Sequence, residues 1–121
     1  MGFKNYNMGL LSKYWTPEQG KEYIIEIVGN EYVKEEFRKE NRTELKDVMI
    51  YKVSAVQEIG TNIVSTFETP KEWKTASTKV HLFIQEMINQ ALLENKDTIR
   101  VQIRRDTDNK FSVFKWTMPK F

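Results

Sequence analysis

Thr78-Lys79-Val80-His81-Leu82-Phe83-Ile84-Gln85-Glu86-Met87-Ile88-Asn89-Gln90-Ala91-Leu92-Leu93, followed after a turn by Ile99-Arg100-Val101-Gln102-Ile103-Arg104, is the stretch whose reading decides the fold. Apolar residues at 80, 83, 84, 87, 88, 91 and 92 recur at helical spacing, so the first part is an amphipathic helix. Ser77 and Thr78 are its candidate N-caps, and Asn95-Lys96-Asp97 ends the pattern with turn chemistry. The period then drops to two. Ile99, Val101 and Ile103 alternate with Arg100, Gln102 and Arg104, the mark of a half-buried strand with its cationic side in water. Asp106-Thr107-Asp108-Asn109 is a turn, and Phe111 to Trp116 is a second, aromatic strand.

Working back towards the N-terminus, residues 1–13 read as an arm, with Phe3, Tyr6 and Met8 among polar neighbours. Tyr14 to Gly20 is a lead-in broken by Pro17 and Gly20, and Tyr23-Ile24-Ile25-Glu26-Ile27-Val28 is a strand closed by Gly29-Asn30. Residues 31–47 carry dense, nearly balanced charge, and both a short solvated helix and a charged loop fit them. The balance argues against a phosphate-binding patch there. Asp47 to Gln57 is a long strand whose alternation breaks at its start, as expected from burial on both faces or from a bulge. After a turn over Glu58–Asn62, Ile63 to Glu68 is a third strand stopped by Pro70, and Lys71 to Thr75 bridges into the helix.

A chain of 121 residues is sized for one domain. With 40% apolar and 30% charged residues it suits a globular protein, and its apolar runs are far too short for a bilayer span. No apolar core near Met1 suggests a secretory signal. Without cysteine there is no disulfide and no thiolate metal site, and one histidine, His81, leaves little zinc or relay chemistry. G-x-x-x-x-G-K-[ST], G-x-G-x-x-G and G-x-S-x-G are all missing. The expectation is a non-enzymatic protein with no cofactor and no metal.

Five strands with one main helix between the third and fourth is the element order of the OB-fold, a five-stranded Greek-key barrel. The expected fold is mostly β with that helix (α+β), as an N-terminal arm over 1–13 and a single OB-like domain over 14–121. On that pattern the chain resembles the single-stranded-DNA-binding OB domains of replication proteins, including phage and archaeal-virus ones. The likeness rests on Pro17 to Ile27, on Trp73-Lys74-Thr75-Ala76-Ser77-Thr78, and on the basic hairpin of Arg100 to Arg105 with Phe111 to Trp116. The C-terminal Met118-Pro119-Lys120-Phe121 departs from members whose acidic tail recruits partners.

The resemblance implies sequence-independent binding of single-stranded nucleic acid, DNA above all, and a cytoplasmic location (a host's, for a virus). Such binding needs a cationic groove and aromatic faces for base stacking. Lys52, Lys74, Arg100, Arg104 and Arg105 are the candidate phosphate contacts, and Tyr51, Phe114, Trp116 and Trp15 the candidate platforms. Neighbours on a strand point oppositely, so only one of Tyr51 and Lys52 can face a ligand. Phe111 and Val113 are expected inside, with Phe114 and Trp116 outside; Trp73 is expected in the core, and Trp15 fits either place. The alternative is a structural or interaction module that forms a small homo-oligomer through a strand edge or the arm.

Overall fold

The computed structural model describes residues 13–61, 63–107 and 110–114. Its elements run β1 (Glu22–Lys39), β2 (Arg42–Glu58), β3 (Val64–Thr75), α1 (Thr78–Leu93), β4 (Ile99–Thr107) and β5 (Lys110–Phe114). The strands form one open antiparallel sheet in the order β3-β2-β1-β4-β5. The fold is therefore mostly β with a helix between the third and fourth strands, as expected. The closed barrel is not seen: β3 and β5 are the two edges. The described residues show one reason. The late edge of β3, which barrel closure would pair with β5, is taken by the lead-in: Trp15 N–H donates to Glu72 O at 2.9 Å, and Glu72 N–H to Lys13 O at 2.7 Å. The same segment then reaches β4, where Gly20 N–H donates to Arg105 O at 2.6 Å.

The helix forms where the spacing placed it. Ser77 is its N-cap, with its hydroxyl accepting from Val80 N–H at 3.3 Å. Past the last turn, Asn95 takes a left-handed conformation (φ 56°) and Lys96 N–H returns to Ala91 O at 2.8 Å, closing the orphan carbonyls. Val80, Phe83, Ile84 and Ala91 are buried against one face of the sheet. That face supplies Tyr23, Ile25 and Ile27 of β1, Met49, Tyr51 and Val53 of β2, Trp73 of β3, Ile99, Val101 and Ile103 of β4, and Phe111 of β5. Leu92, on the edge of the apolar stripe, stays exposed. Where β2 enters the core, Val48 and Met49 are both buried, so the broken alternation there does reflect burial on both faces.

Three boundaries differ from the sequence expectation. β1 does not stop at Gly29-Asn30. It shifts register around Ile27–Gly29 and continues to Lys39. Gly29 sits at this irregularity, paired with Lys52, and does not end the strand. Residues 31–47 are neither helix nor loop but the distal part of the β1–β2 hairpin, paired from Glu31↔Ile50 to Lys39↔Arg42. Glu40 and Asn41 turn it with φ of 50° and 64°, the double left-handed geometry that matches the twist of paired strands. Strand β3, finally, runs through Pro70. Residues 67–70 have no partner in β2, between the pairs Ala55↔Thr66 and Val53↔Lys71, so the missing proline N–H breaks no ladder bond.

Candidate nucleic-acid interface

The cations expected to bind phosphate fall into two groups. Lys52, Arg100 and Arg104 project from the sheet face turned away from the helix, and each meets a carboxylate. Arg100 Nε lies 2.9 Å from Glu26 Oε2, whose other oxygen accepts from Ser54 Oγ at 2.7 Å. Lys52 Nζ lies 2.8 Å from Glu72 Oε2; this contact pushes the ammonium pKa up and holds the carboxyl below its ordinary value. Arg104 Nε lies 2.8 Å from Asp106 Oδ1, and Ser112 Oγ donates to Asp106 Oδ2 at 2.7 Å, so Asp106 is likewise held low. These side chains tie β1, β2, β3, β4 and β5 together across the outer face.

Lys74 and Arg105 meet elsewhere. Both line a cleft of about 210 Å³ on the open side of the sheet, where the hairpin, the end of β3 and the β4–β5 strands approach one another. Lys46 of β2 is the third cation on its wall, with Glu35 beside it, and Trp73 and Phe111 form part of the lining. Lys74 pairs with Glu35, which raises its pKa. Arg105 Nη1 donates to Pro17 O at 2.7 Å, so the lead-in orients that guanidinium at the rim. The Trp73 and Phe111 rings meet at 5.8 Å and 62°, and both are buried. They give the cleft an apolar wall, not an open stacking face.

The aromatic expectations sort by the same inside–outside rule. Tyr51 is only 1% exposed and packs on Trp73, with its hydroxyl 3.3 Å from His81 Nδ1. Of the Tyr51–Lys52 pair the ring turns inward and the ammonium outward, which corrects the assignment of Tyr51 as a stacking platform. Burial also drives its phenol pKa well above the ordinary range. Trp73 is in the core, as expected. Trp15 is half-buried, edge-on to Tyr23 at 5.2 Å and to Trp73 at 5.8 Å. Phe111 is buried and Val113 packs against the core, which matches the inward choice for that strand. The Phe114 side chain, Trp116 and residues 1–12 of the arm lie outside the described residues.

Sequence reasoning missed two participants. Lys46 was hidden by the charge balance of residues 31–47, because a count cannot show which residues face the cleft. Tyr14 is the other. It is 50% exposed, carries Lys13 Nζ 5.0 Å over its ring, and bridges Glu72 two residues before Lys74. The Lys13-Tyr14-Trp15 run was the available signal, but alternation turns Trp15 in and Tyr14 out. No family model matches the chain, and neither a curated protein nor a solved structure matches it.

Proposed function

We propose that the protein binds single-stranded nucleic acid, without catalysing a reaction, through the cleft between the hairpin and the end of β3. The observation that carries this reading is the convergence of Lys46, Lys74 and Arg105 on one cleft, with the exposed Tyr14 bridged to Glu72 on the neighbouring stretch of β3. The sheet order and the position of the helix also suit an OB-like fold, in which the open side of the sheet is the place for a ligand. Phosphate oxygens would take Lys74 from Glu35. That exchange is cheap, because a surface ion pair is worth about 0–1 kcal/mol. Base stacking on Tyr14 would add sequence-tolerant affinity.

The test is fluorescence anisotropy of a labelled oligothymidylate at a series of salt concentrations. Replacing Lys46 and Lys74 together with Ala should lower affinity and flatten the salt dependence by roughly 0.7 for each phosphate left without its cation. Tyr14→Ala should weaken binding by about 1–3 kcal/mol with no change in slope. Arg100→Ala and Arg104→Ala should leave the slope as it is. A slope altered by the outer-face pair and not by the cleft pair would move the interface to the other face. No binding at low salt would end the nucleic-acid reading.

A further inference from the structure

Strand β3 leaves one stretch of its edge open. From Val64 to Thr66 it bonds to β2 on one side, and among the described residues no strand lies on the other. An open edge is a template for another strand, and proteins normally blunt it with charge, proline or a covering segment. Here the edge exposes apolar side chains, Ile63 at 65%, Val64 at 41% and Ile59 in the adjoining turn at 41%, with Ser65 and Thr66 next along the strand and Lys71 Nζ 4.7 Å over the Phe67 ring. Beside it lies a groove of about 430 Å³, to which Ile63, Ser65 and Phe67 contribute from alternate positions, with Trp15 on the wall and Glu58 and Lys71 at the margin.

We infer that this edge pairs with the same edge of a second copy of the chain, antiparallel about a two-fold axis through Ser65. The sequence is self-complementary about that point. Ile63 falls opposite the copy's Phe67, Val64 opposite its Thr66, and the two small Ser65 side chains meet on the axis, as an isologous contact requires. Each exposed Ile63 thus covers the other copy's Phe67 and joins the two grooves into one apolar seam. Charge agrees with the same register. Glu58 sits beside the start of β3, where Gln57 pairs with Val64, and Lys71 sits further along, opposite Val53. Antiparallel pairing sets the acidic end of each groove against the basic end of the other. The cleft holding Lys46, Lys74 and Arg105 shares only Thr16 with the lining of this groove, so the inference is independent of nucleic-acid binding.

The experiment is sedimentation equilibrium of the full chain across a wide concentration range, without nucleic acid. The expected species has twice the 14.4 kDa chain mass. Ile63→Glu, which puts an unpaired charge in the seam at a site already exposed, should weaken the dimer by roughly tenfold or more and leave the far-UV circular dichroism unchanged. Because the chain has no cysteine, Ser65→Cys gives a second reading under mild oxidation. It should cross-link to a covalent dimer, while Ser54→Cys on the sheet's other face should not. A monomer at every concentration with no cross-link through position 65 overturns the inference. So does a dimer that Ile63→Glu leaves intact, or one that cross-links equally through position 54.

Discussion

The root and the tip of the β1–β2 hairpin share one backbone ladder but are held by different forces. At the root, Ile25 and Val53 are fully buried and Ile27 nearly so, and their strands are flanked by β4 and β3. Towards the tip, flanking strands fall away, Leu45 is 65% exposed, and the cross-strand contacts are polar. Tyr32 donates to Asp47, and Lys34 lies 3.8 Å from the same carboxylate. Burial of a large apolar side chain contributes about 1.5–3 kcal/mol, whereas exposed ion pairs contribute about 0–1. A regular strand assignment therefore says little about where stability resides. Root and tip should also open separately, because beyond the ladder the tip is held by polar contacts such as Glu35–Lys74 rather than by core packing.

The widest gap between the two regions is expected from truncation. Trp73→Ala, beneath the root, should cost about 3–5 kcal/mol of folding stability, and Ile25→Ala about 2–5. Leu45→Ala at the tip should stay within about 0.5 kcal/mol. Denaturant unfolding of the three variants measures this, and equal losses at Ile25 and Leu45 would erase the distinction. The turn provides a finer probe. Asn41→Val forces a β-branched side chain into a left-handed position and should cost about 1–2 kcal/mol. That loss should show as faster amide exchange in 36–45, with the root's amides little changed. Matching loss of protection in both halves would mean that they open as one unit.

The smallest effect is electrostatic. Glu72 and Asp106 are held below their ordinary values of 4.5 and 3.8, Glu72 by Lys52 and Asp106 by Arg104 with Ser112. A depressed carboxylate contributes stability that is present above its unfolded value and lost as pH falls through its folded one. Acidification below about pH 4.5 should therefore loosen the outer face, and Lys52→Met combined with Arg104→Met should make that decline shallower. Both pairs are partly solvent-exposed, so thermal melts at closely spaced pH values are needed to see it.

The contrast between root and tip also explains what the sequence could reveal. Helix α1 was legible almost to the residue, because Val80, Phe83, Ile84 and Ala91 report burial through their spacing and Ser77 and Asn95 mark the ends. The root strands were legible for the same reason. The tip was not, since a ribbon exposed on both faces has no apolar alternation, and Glu40-Asn41 lacks the glycine that usually announces such a turn. The run of β3 past Pro70 was hidden because nothing in the sequence shows that residues 67–70 have no partner on β2. Of the site, Lys74 and Arg105 could be named as cations, but not their meeting with Lys46, which depends on the hairpin's twist and on the lead-in.

That lead-in sets the order of events when the chain folds. The tip turn closes on adjacent residues, whereas the bond from Arg105 to the Pro17 carbonyl joins positions 88 apart. Bonds of such separation require most of the loop-closure entropy to have been spent already, so they form late and give little to the folding rate. The hairpin should assemble first, the return of β4 onto β1 should follow, and the strap from Lys13 to Gly20 should latch last. The same strap should be the first part to release. Its amides at Trp15 and Gly20 should exchange at rates set by a local opening long before Ile25 exchanges, and Pro17→Gly, which loosens the chain at the latch, should speed unfolding while leaving the refolding rate almost untouched.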